Sequence, residues 1–427
     1  MPTIAFHTLG CKLNFAESSD LLRRFVDKGF KEQSFHDKCD VYVINTCTVT
    51  AVSERKCRSA IRQAHNLNPN AIIAVIGCFS QVSSPQIEKI EGVNIILGND
   101  NKHLLVDKVL AYKNDKLEND VVDISNLKSF YSSISFDDRT RGFLKVQDGC
   151  DYFCSYCEIP FARGRSRSCT INEAVQNALI LEKENKKEIV ITGVNIGDFG
   201  KNNNEHFLSL IQSLDTKTNV KRYRISSIEP NLLTKEIIDF CASSRSFMPH
   251  FHIPLQSGSN VVLKNMNRHY LREDFADKVH YIHSIMPHCF IACDVMCGFN
   301  SETEKEFISS YEFLDSLPIA FIHVFTYSDR PDTKAYRIEG KIPMGERRKR
   351  SDILQALSLK KKQSFYEQNF GYMASILWEE ADKKGFMYVF TDNYIRCSRK
   401  FDKNLVNQIT YNRLENLSND KEHYKIL

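Results

Sequence analysis

Through its first 110 residues the chain alternates apolar runs with amphipathic stretches. TIAFHTL, VYVIN, AIIAVIG and VNIILG read as strands, and FAESSDLLRRFVDKGF, VSERKCRSAIRQAHNL and SSPQIEKI between them carry helical spacing. This order predicts an open parallel α/β sheet with helices on its faces over residues 1–110. Residues 111–138 lose periodicity and gain polar side chains, which predicts a linker. From 139 a second α/β region begins. FLKVQDG, EIVITGV, YRISSI, HFHIPL, CFIACDVMCGF and FIHVFTYS read as strands separated by helical stretches such as TINEAVQNALILEKENKK. Six βα repeats are too few for a closed eight-fold barrel, so residues 139–370 predict a partial (β/α)6 barrel with its site at the carboxyl ends of the strands. Residues 371–427 hold short β-rich segments with turns, the pattern of a small β-barrel.

With 427 residues, 42% of them hydrophobic, the chain can bury two or three cores. No apolar run is long enough to cross a membrane, and MPTIAFHTLGC lacks the charged and apolar regions of a signal peptide, so a cytoplasmic protein is expected. Fourteen cysteines in a reducing compartment point to metal binding or catalysis before disulfides. The net charge of +4 is concentrated: residues 341–370 carry eight Lys/Arg against three acids. Such a stripe suits a polyanion, although a solvated helix face would read the same way.

The cysteines fall into patterns. Cys11, Cys47 and Cys78 each follow one of the first three predicted strands, at the edge where open α/β sheets gather ligands. Cys39 and Cys57 lie outside that pattern and read as structural. DGCDYFCSYC, at the end of the first barrel strand, places Cys150, Cys154 and Cys157 at C-x3-C-x2-C spacing. Structural zinc would need a fourth ligand close by, and the next thiol, Cys169, lies twelve residues on. A [4Fe–4S] cluster held by three thiolates leaves one iron open, which accounts for the missing cysteine. Cys293 and Cys297 share the C-x3-C spacing but lie on one face of an apolar strand with no third thiol, and read as core. His280, His283 and His288 have metal-like spacing without a partner acid or cysteine cluster.

The three-thiol loop closely resembles the signature of the radical S-adenosylmethionine (SAM) superfamily. TLGCKLN, INTCTVT, RKCRSAIRQ, VIGCFSQ, DGCDYFCSYCEIPFARGRSRS, TGVNIG, ISSIEP, HIPLQSGS and FTYSDRP together resemble its methylthiotransferase family over essentially the whole chain. HTLGCKLN and INTCTVT are most similar to the branch acting on N6-threonylcarbamoyladenosine of tRNA. The resemblance implies two [4Fe–4S] clusters, one on Cys150, Cys154 and Cys157 that cleaves SAM to a 5′-deoxyadenosyl radical, the other on Cys11, Cys47 and Cys78 that supplies the methylthio sulfur. It also implies that residues 371–427 form a tRNA-binding TRAM barrel. The expected reaction replaces the C2–H of the adenine at position 37 with a methylthio group. It calls for an electron donor such as a flavodoxin or ferredoxin, and for a sulfur source.

Around the clusters, Tyr156, Gly193, Ser227, Glu229 and Gln256 are expected to contact SAM. Arg163 and Arg165 are expected to meet substrate phosphate or carboxylate, and Arg347, Arg348, Lys349 and Arg350 the phosphates of tRNA. Asn300 and Asp332 stand where the family commonly has proline and glycine. The tail from 371 is nearly neutral, with nine Lys/Arg and eight Asp/Glu, so RNA binding there rests on the resemblance. Three other readings compete: the same chemistry on isopentenyladenosine tRNA, on a ribosomal-protein side chain, or a non-catalytic iron–sulfur RNA-binding protein.

Overall fold

The computed structural model describes residues 1–113, 116–135, 140–380, 382 and 385–426. Its N-terminal sheet contains the four predicted strands, β1 (Thr3–Thr8), β3 (Val41–Thr46), β4 (Ile72–Gly77) and β5 (Val93–Leu97), with β2 (Lys31–Glu32) added at one edge. All pair in parallel, in the order β2-β1-β3-β4-β5. Every residue of β3 is buried, because helices cover both faces: Tyr42 and Ile44 pack into one apolar core, Val41 and Val43 into the other.

The predicted linker is a seam between two sheets. Its residues Glu118–Asp120 form β6, a sixth parallel strand beside β5, and Ser133–Ile134 form β7, antiparallel to β8 (Arg141–Lys145) of the second sheet. Strands this short carry no readable period, so only the neighbouring edge reveals them.

The second region is the expected partial barrel. Beyond β8, a two-stranded ribbon of β9 (Gln147–Asp148) and β10 (Arg167–Ser168) brackets the cysteine loop. The remaining barrel strands are β11 (Glu188–Thr192), β12 (Arg222–Ile225), β13 (His250–His252), β14 (Phe290–Cys297) and β15 (Phe321–Thr326). The ladders run β12-β11-β8 and β13-β14-β15, all parallel. Backbone contacts close the seam between β12 and β13: a Tyr223–Phe247 bridge and Ile228 N–H donating to His252 O at 3.1 Å. Odd-numbered residues of β14, Cys293 and Cys297 among them, pack outward into the main core. Even-numbered ones face the lumen.

The tail forms β16 (Met373–Leu377), β17 (Phe386–Phe390), β18 (Arg396–Lys400), β19 (Ile409–Arg413) and β20 (Tyr424–Lys425). They make a two-stranded and a three-stranded sheet linked by an Ile376–Thr391 bridge. Their core, around the fully buried Trp378, includes Phe290 and Ala292 from β14 and Phe365 from the helix Met344–Gln368. Arg222 donates to Ser375 Oγ (2.8 Å) and Arg224 to Thr391 O (2.7 Å). Since Arg222 and Phe290 begin their strands, this unit plugs the amino end of the barrel, opposite the cysteine loop.

Candidate active site

The adjacency of β1, β3 and β4 brings three thiols together. Cys11 is exposed at the start of the helix Lys12–Asp27; Cys47, one residue past β3, and Cys78, one past β4, are buried. Each has polar company. The Asn99 amide lies 3.7 Å from Cys78 Sγ, and the Asn14 amide oxygen 3.8 Å from Cys11 Sγ. Burial pushes the Cys47 thiol up to about 11, with the charges of Cys78 and Cys11 adding to the effect. Cys57 packs directly behind, its sulfur 3.5 Å from the backbone N of Cys47. The structure thus gives that helical cysteine a supporting place against the strand-end triad.

The second triad is moulded by its backbone. Gly149 has φ +71°, and a Cβ there would sit 2.0 Å from the Arg165 carbonyl oxygen, so only glycine lets the two arms approach. Each of the three sulfurs faces a donor: Tyr152 N–H to Cys150 (3.5 Å), Arg268 Nη1 to Cys154 (3.2 Å) and Ile159 N–H to Cys157 (3.4 Å). Burial raises all three thiols, Cys150 to about 12. A bound cation must therefore draw off their protons as it binds. Among the described residues, no group of three that includes a cysteine has its donor atoms within 4.8 Å of one another. Zinc–sulfur bonds of about 2.3 Å demand sulfurs roughly 3.8 Å apart. Neither triad is therefore drawn in tightly enough for a single ion.

The two triads lie on facing edges of the two sheets, joined through the residues beside them. Thr48, next to Cys47, has its hydroxyl 2.8 Å from Glu158 Oε2, and Glu158 follows Cys157. Arg330 binds Glu54 (2.8 Å) and the Thr48 carbonyl and lies 3.6 Å from Glu158. Deeper in the interface, Glu17 and Asp148 meet Lys102, Lys145, Arg163 and Arg167. Burial alone would raise the Glu17 and Asp148 carboxyls, but these cations hold both well below the usual carboxylate range. A cavity of about 100 Å³ opens beside Cys157, lined also by Thr48, Tyr156, Met296, Phe325 and Tyr327. A larger one of about 580 Å³, beside Lys360 and Lys361, touches none of the six cysteines.

Comparison with known proteins places both regions in known families. Residues 3–98 match the model of the uncharacterized protein family UPF0004, and 144–314 that of the radical SAM superfamily. The threonylcarbamoyladenosine tRNA methylthiotransferase MtaB of Aquifex aeolicus is 37% identical over 93% of this chain and 96% of its own length. The chain belongs to the MtaB-type methylthiotransferase family. A tRNA-2-methylthio-N(6)-dimethylallyladenosine synthase of Pelotomaculum thermopropionicum is 28% identical over 90% of this chain and 88% of its own. The radical SAM methyltransferase TsrM of Kitasatospora setae shares the fold, with a TM-score of 0.57 at 14% identity over 78% of this chain and 77% of its own. The chain is therefore a radical SAM enzyme that uses SAM and an iron–sulfur cluster.

For this methylthiotransferase the structure reassigns several residues expected at the substrate. Arg163 does not face phosphate: it is 1% exposed and binds Asn14 (2.6 Å), Asp148 (2.9 Å) and both oxygens of Glu17. Its charge is spent holding the two sheets together. Arg347 and Arg350 are likewise buried and withdrawn from tRNA. Arg347 binds Asp329 and the Tyr327 carbonyl, Arg350 binds Glu302, and the helical period that exposes Arg348 and Lys349 turns these two inward. Asn300 belongs with them: its amide donates to Ala335 O at 2.9 Å and its oxygen lies 3.5 Å from Arg347. Arg165 is exposed over the Phe153 ring.

Of the residues expected at SAM, Glu229 gives one oxygen to Arg268, the same guanidinium that reaches Cys154. Gly193 leaves room for Gln147, whose Oε1 accepts the N–H groups of Val194 and Asn195 at 2.8 Å. Gln256 bridges to β14 with φ +68°. Ser227 follows β12, half-buried. Tyr156 packs edge-on to Phe299 on one side and lines the cavity on the other. Arg268 lies in no motif; Arg330 falls within FTYSDRP and Gln147 just before DGCDYFC, but only the tertiary contacts show what they do.

Proposed function

We propose that the chain methylthiolates C2 of N6-threonylcarbamoyladenosine at position 37 of tRNA, with one [4Fe–4S] cluster on Cys150, Cys154 and Cys157 and a second on Cys11, Cys47 and Cys78. The observation that carries this reading is the direct junction between the residues that follow Cys47 and Cys157: Thr48 and Glu158 are hydrogen-bonded and share Arg330. One carbon must lose hydrogen and gain sulfur, so both reactive groups have to reach it.

The donor sets fit clusters: three thiols each, not drawn in tightly enough for a single ion, with a hydrogen-bond donor at every sulfur of the 150–157 loop. When bound, the loop cluster supplies the electron that cleaves SAM, and the other presents the sulfur that is methylated and transferred. The protein's own groups do the positioning. Arg268 donates to Cys154 and fixes Glu229, whose remaining oxygen Oε1 can accept from a ribose hydroxyl or the SAM ammonium. Gln147 orients the turn at Gly193, where backbone can approach the methionine part of SAM. Ser227, Gln256 and Tyr156 ring the same carboxyl end. The interface network of Glu17, Arg163 and Asp148 closes one side of the cleft to water.

The substrate branch is supported by the relatives, 37% identical for the threonylcarbamoyladenosine enzyme against 28% for the dimethylallyladenosine one. For tRNA itself, Arg348, Lys349 and Arg165 offer exposed charge. In the TRAM-like tail, Tyr411, 72% exposed on β19, and Phe401 offer stacking surfaces beside Arg413 and Lys400.

The test is an anaerobic reaction of the reconstituted protein with SAM, reductant, sulfide and tRNA bearing threonylcarbamoyladenosine, followed by mass analysis of the nucleosides. A gain of one methylthio group on that nucleoside is expected. A gain only on isopentenyladenosine tRNA would overturn the substrate and keep the chemistry; SAM cleavage with neither product would redirect the reading to a protein substrate.

A further inference from the structure

The lumen of the barrel holds a polar layer that neither cluster uses. His252 on β13, Asp294 on β14 and His323 on β15 stand side by side on three adjacent parallel strands. His323 pairs in register with Asp294, and His252 with Ala292 one step away. Their donor atoms all lie within 4.8 Å of one another. His252 Nε2 is 2.7 Å from Asp294 Oδ1, which fixes the carboxylate, while His323 remains exposed. Lumen-facing positions of a small barrel are ordinarily apolar filler; here His252 and Asp294 pair with each other, and the exposed His323 is the ring left to meet a ligand.

The surrounding charge decides what kind of partner. Lys12, exposed at the start of its helix and without an ion pair among the described residues, lies within electrostatic reach of both Asp294 and His323. The neighbouring layer adds Arg141, Arg222 and Arg224 against Glu188 and Glu379, and His250 stacks beside them on Phe290. Glu229 is the next acid toward the cysteine loop, and Arg268 holds it. With Asp294, and with Asp392 facing Arg222 and Arg224, the two layers hold four cations to four carboxylates. The carboxylates are engaged by the arginines or by His252, which leaves Lys12 and the exposed His323 facing open space, and an unpaired ammonium favours an anion over a metal ion.

Position along the strands fits one anion in particular. Two residues toward the carboxyl ends, the same faces carry Met296 and Phe325. Phe325 is 48% exposed, and both line the cavity beside Cys157. An adenine stacked there would lie about 7 Å above the polar layer, two residues at about 3.3 Å each. The carboxylate of an N6-threonylcarbamoyl group hangs roughly 5 Å from N6, one planar step of about 3.8 Å plus a Cα–C bond of about 1.5 Å.

We propose that His323, with Lys12 and the His252–Asp294 pair behind it, binds the carboxylate and hydroxyl of the N6 side chain and so selects a charged over a hydrocarbon substituent. The inference rests on the substrate proposed above. An isopentenyl group would cover His323 and Lys12 without giving either a partner, the condition under which polar sites discriminate most strongly.

The test compares anticodon stem-loops carrying threonylcarbamoyladenosine with the same stem-loops carrying its threonine amide, which keeps the shape and removes the charge. Reconstituted holoenzyme should prefer the acid by about 10- to 100-fold in kcat/KM, the scale of a charge-assisted hydrogen bond. His323→Leu, on an exposed face where folding is not at stake, should raise KM for the acid and collapse that preference; Asp294→Asn should weaken it. Equal use of acid and amide by the unaltered enzyme would overturn the proposal while leaving the substrate assignment standing, and so would a preference that survives His323→Leu. Turnover of isopentenyladenosine stem-loops alone would remove both. Zinc or manganese bound in stoichiometric amount by the holoenzyme and lost in His323→Leu would also overturn it, in favour of a metal site.

Discussion

Arg268 ties the electrostatics of the radical centre to two neighbours of opposite effect, and its removal gives a signed prediction. Its Nη1 lies 3.2 Å from Cys154 Sγ and its Nη2 binds Glu229; the side chain is 3% exposed. Taking the centre of a bound cluster as roughly 6 Å from the guanidinium and roughly 8 Å from the carboxylate, Coulomb's law at an effective dielectric of about 20 gives about 2.8 kcal/mol favouring an added electron and about 2.1 kcal/mol opposing it. At 59 mV per 1.4 kcal/mol for one electron, the pair together raises the potential by about 30 mV. In Arg268→Met the potential should fall by about 30 mV if Glu229 takes up a proton, and by about 120 mV if it stays ionised; either way the sign is downward. Glu229→Gln, with Arg268 kept, should raise it by about 90 mV. The assay is an anaerobic potentiometric titration followed by electron paramagnetic resonance, in a background of Cys11→Ala, Cys47→Ala and Cys78→Ala, which removes the ligands proposed for the second cluster. Shifts of the same sign in the two variants, or none in either, would refute the reasoning.

Other expectations are simpler. Gly149→Ala puts a Cβ against the Arg165 carbonyl and should cost the protein the iron of the 150–157 loop, read as a fall in iron per chain with SAM cleavage abolished. Arg330→Met leaves Glu54 and Glu158 without their shared cation, a loss of about 3–5 kcal/mol in domain docking; methylthiolation should fall far more than uncoupled 5′-deoxyadenosine formation, and equal losses would count against the clamp. Arg348→Ala with Lys349→Ala should lower the salt slope of tRNA binding by about 2, whereas Arg347→Ala should disturb folding without a comparable change in slope. Glu188 is held at about 2, against burial, by Arg224, Arg141 and Arg222. Its folded value is depressed, so its contribution, on the order of 3 kcal/mol, is complete above the ordinary carboxylate range and lost as pH falls toward 2. Denaturation midpoints measured from pH 5 to pH 2.5 should fall steeply, and Glu188→Gln should flatten that slope.

The periodicity of the chain determined its strands and helices wherever a run was long enough to show one. The four apolar runs before residue 100 and the six after 139 all became parallel strands. The cysteines were equally legible, because a strand end and a C-x3-C-x2-C spacing are local properties. Short edge strands such as Glu118–Asp120 were not, since a three-residue strand exists only by virtue of its neighbour. Charge was the least legible feature. Arg163, Arg347 and Arg350 look like phosphate contacts in a basic stretch, yet each is consumed by carboxylates brought from distant parts of the chain. Arg268 has no signature, and Arg330 and His252, though they fall within FTYSDRP and HIPLQSGS, show no role there, because the partners that define it lie tens to hundreds of residues away. The sequence determines which residues can bind a cluster and along which strand they sit; only the folded chain decides which charges are left free to meet a substrate, because pairing inside a low-dielectric interface depends on distances that no local pattern encodes.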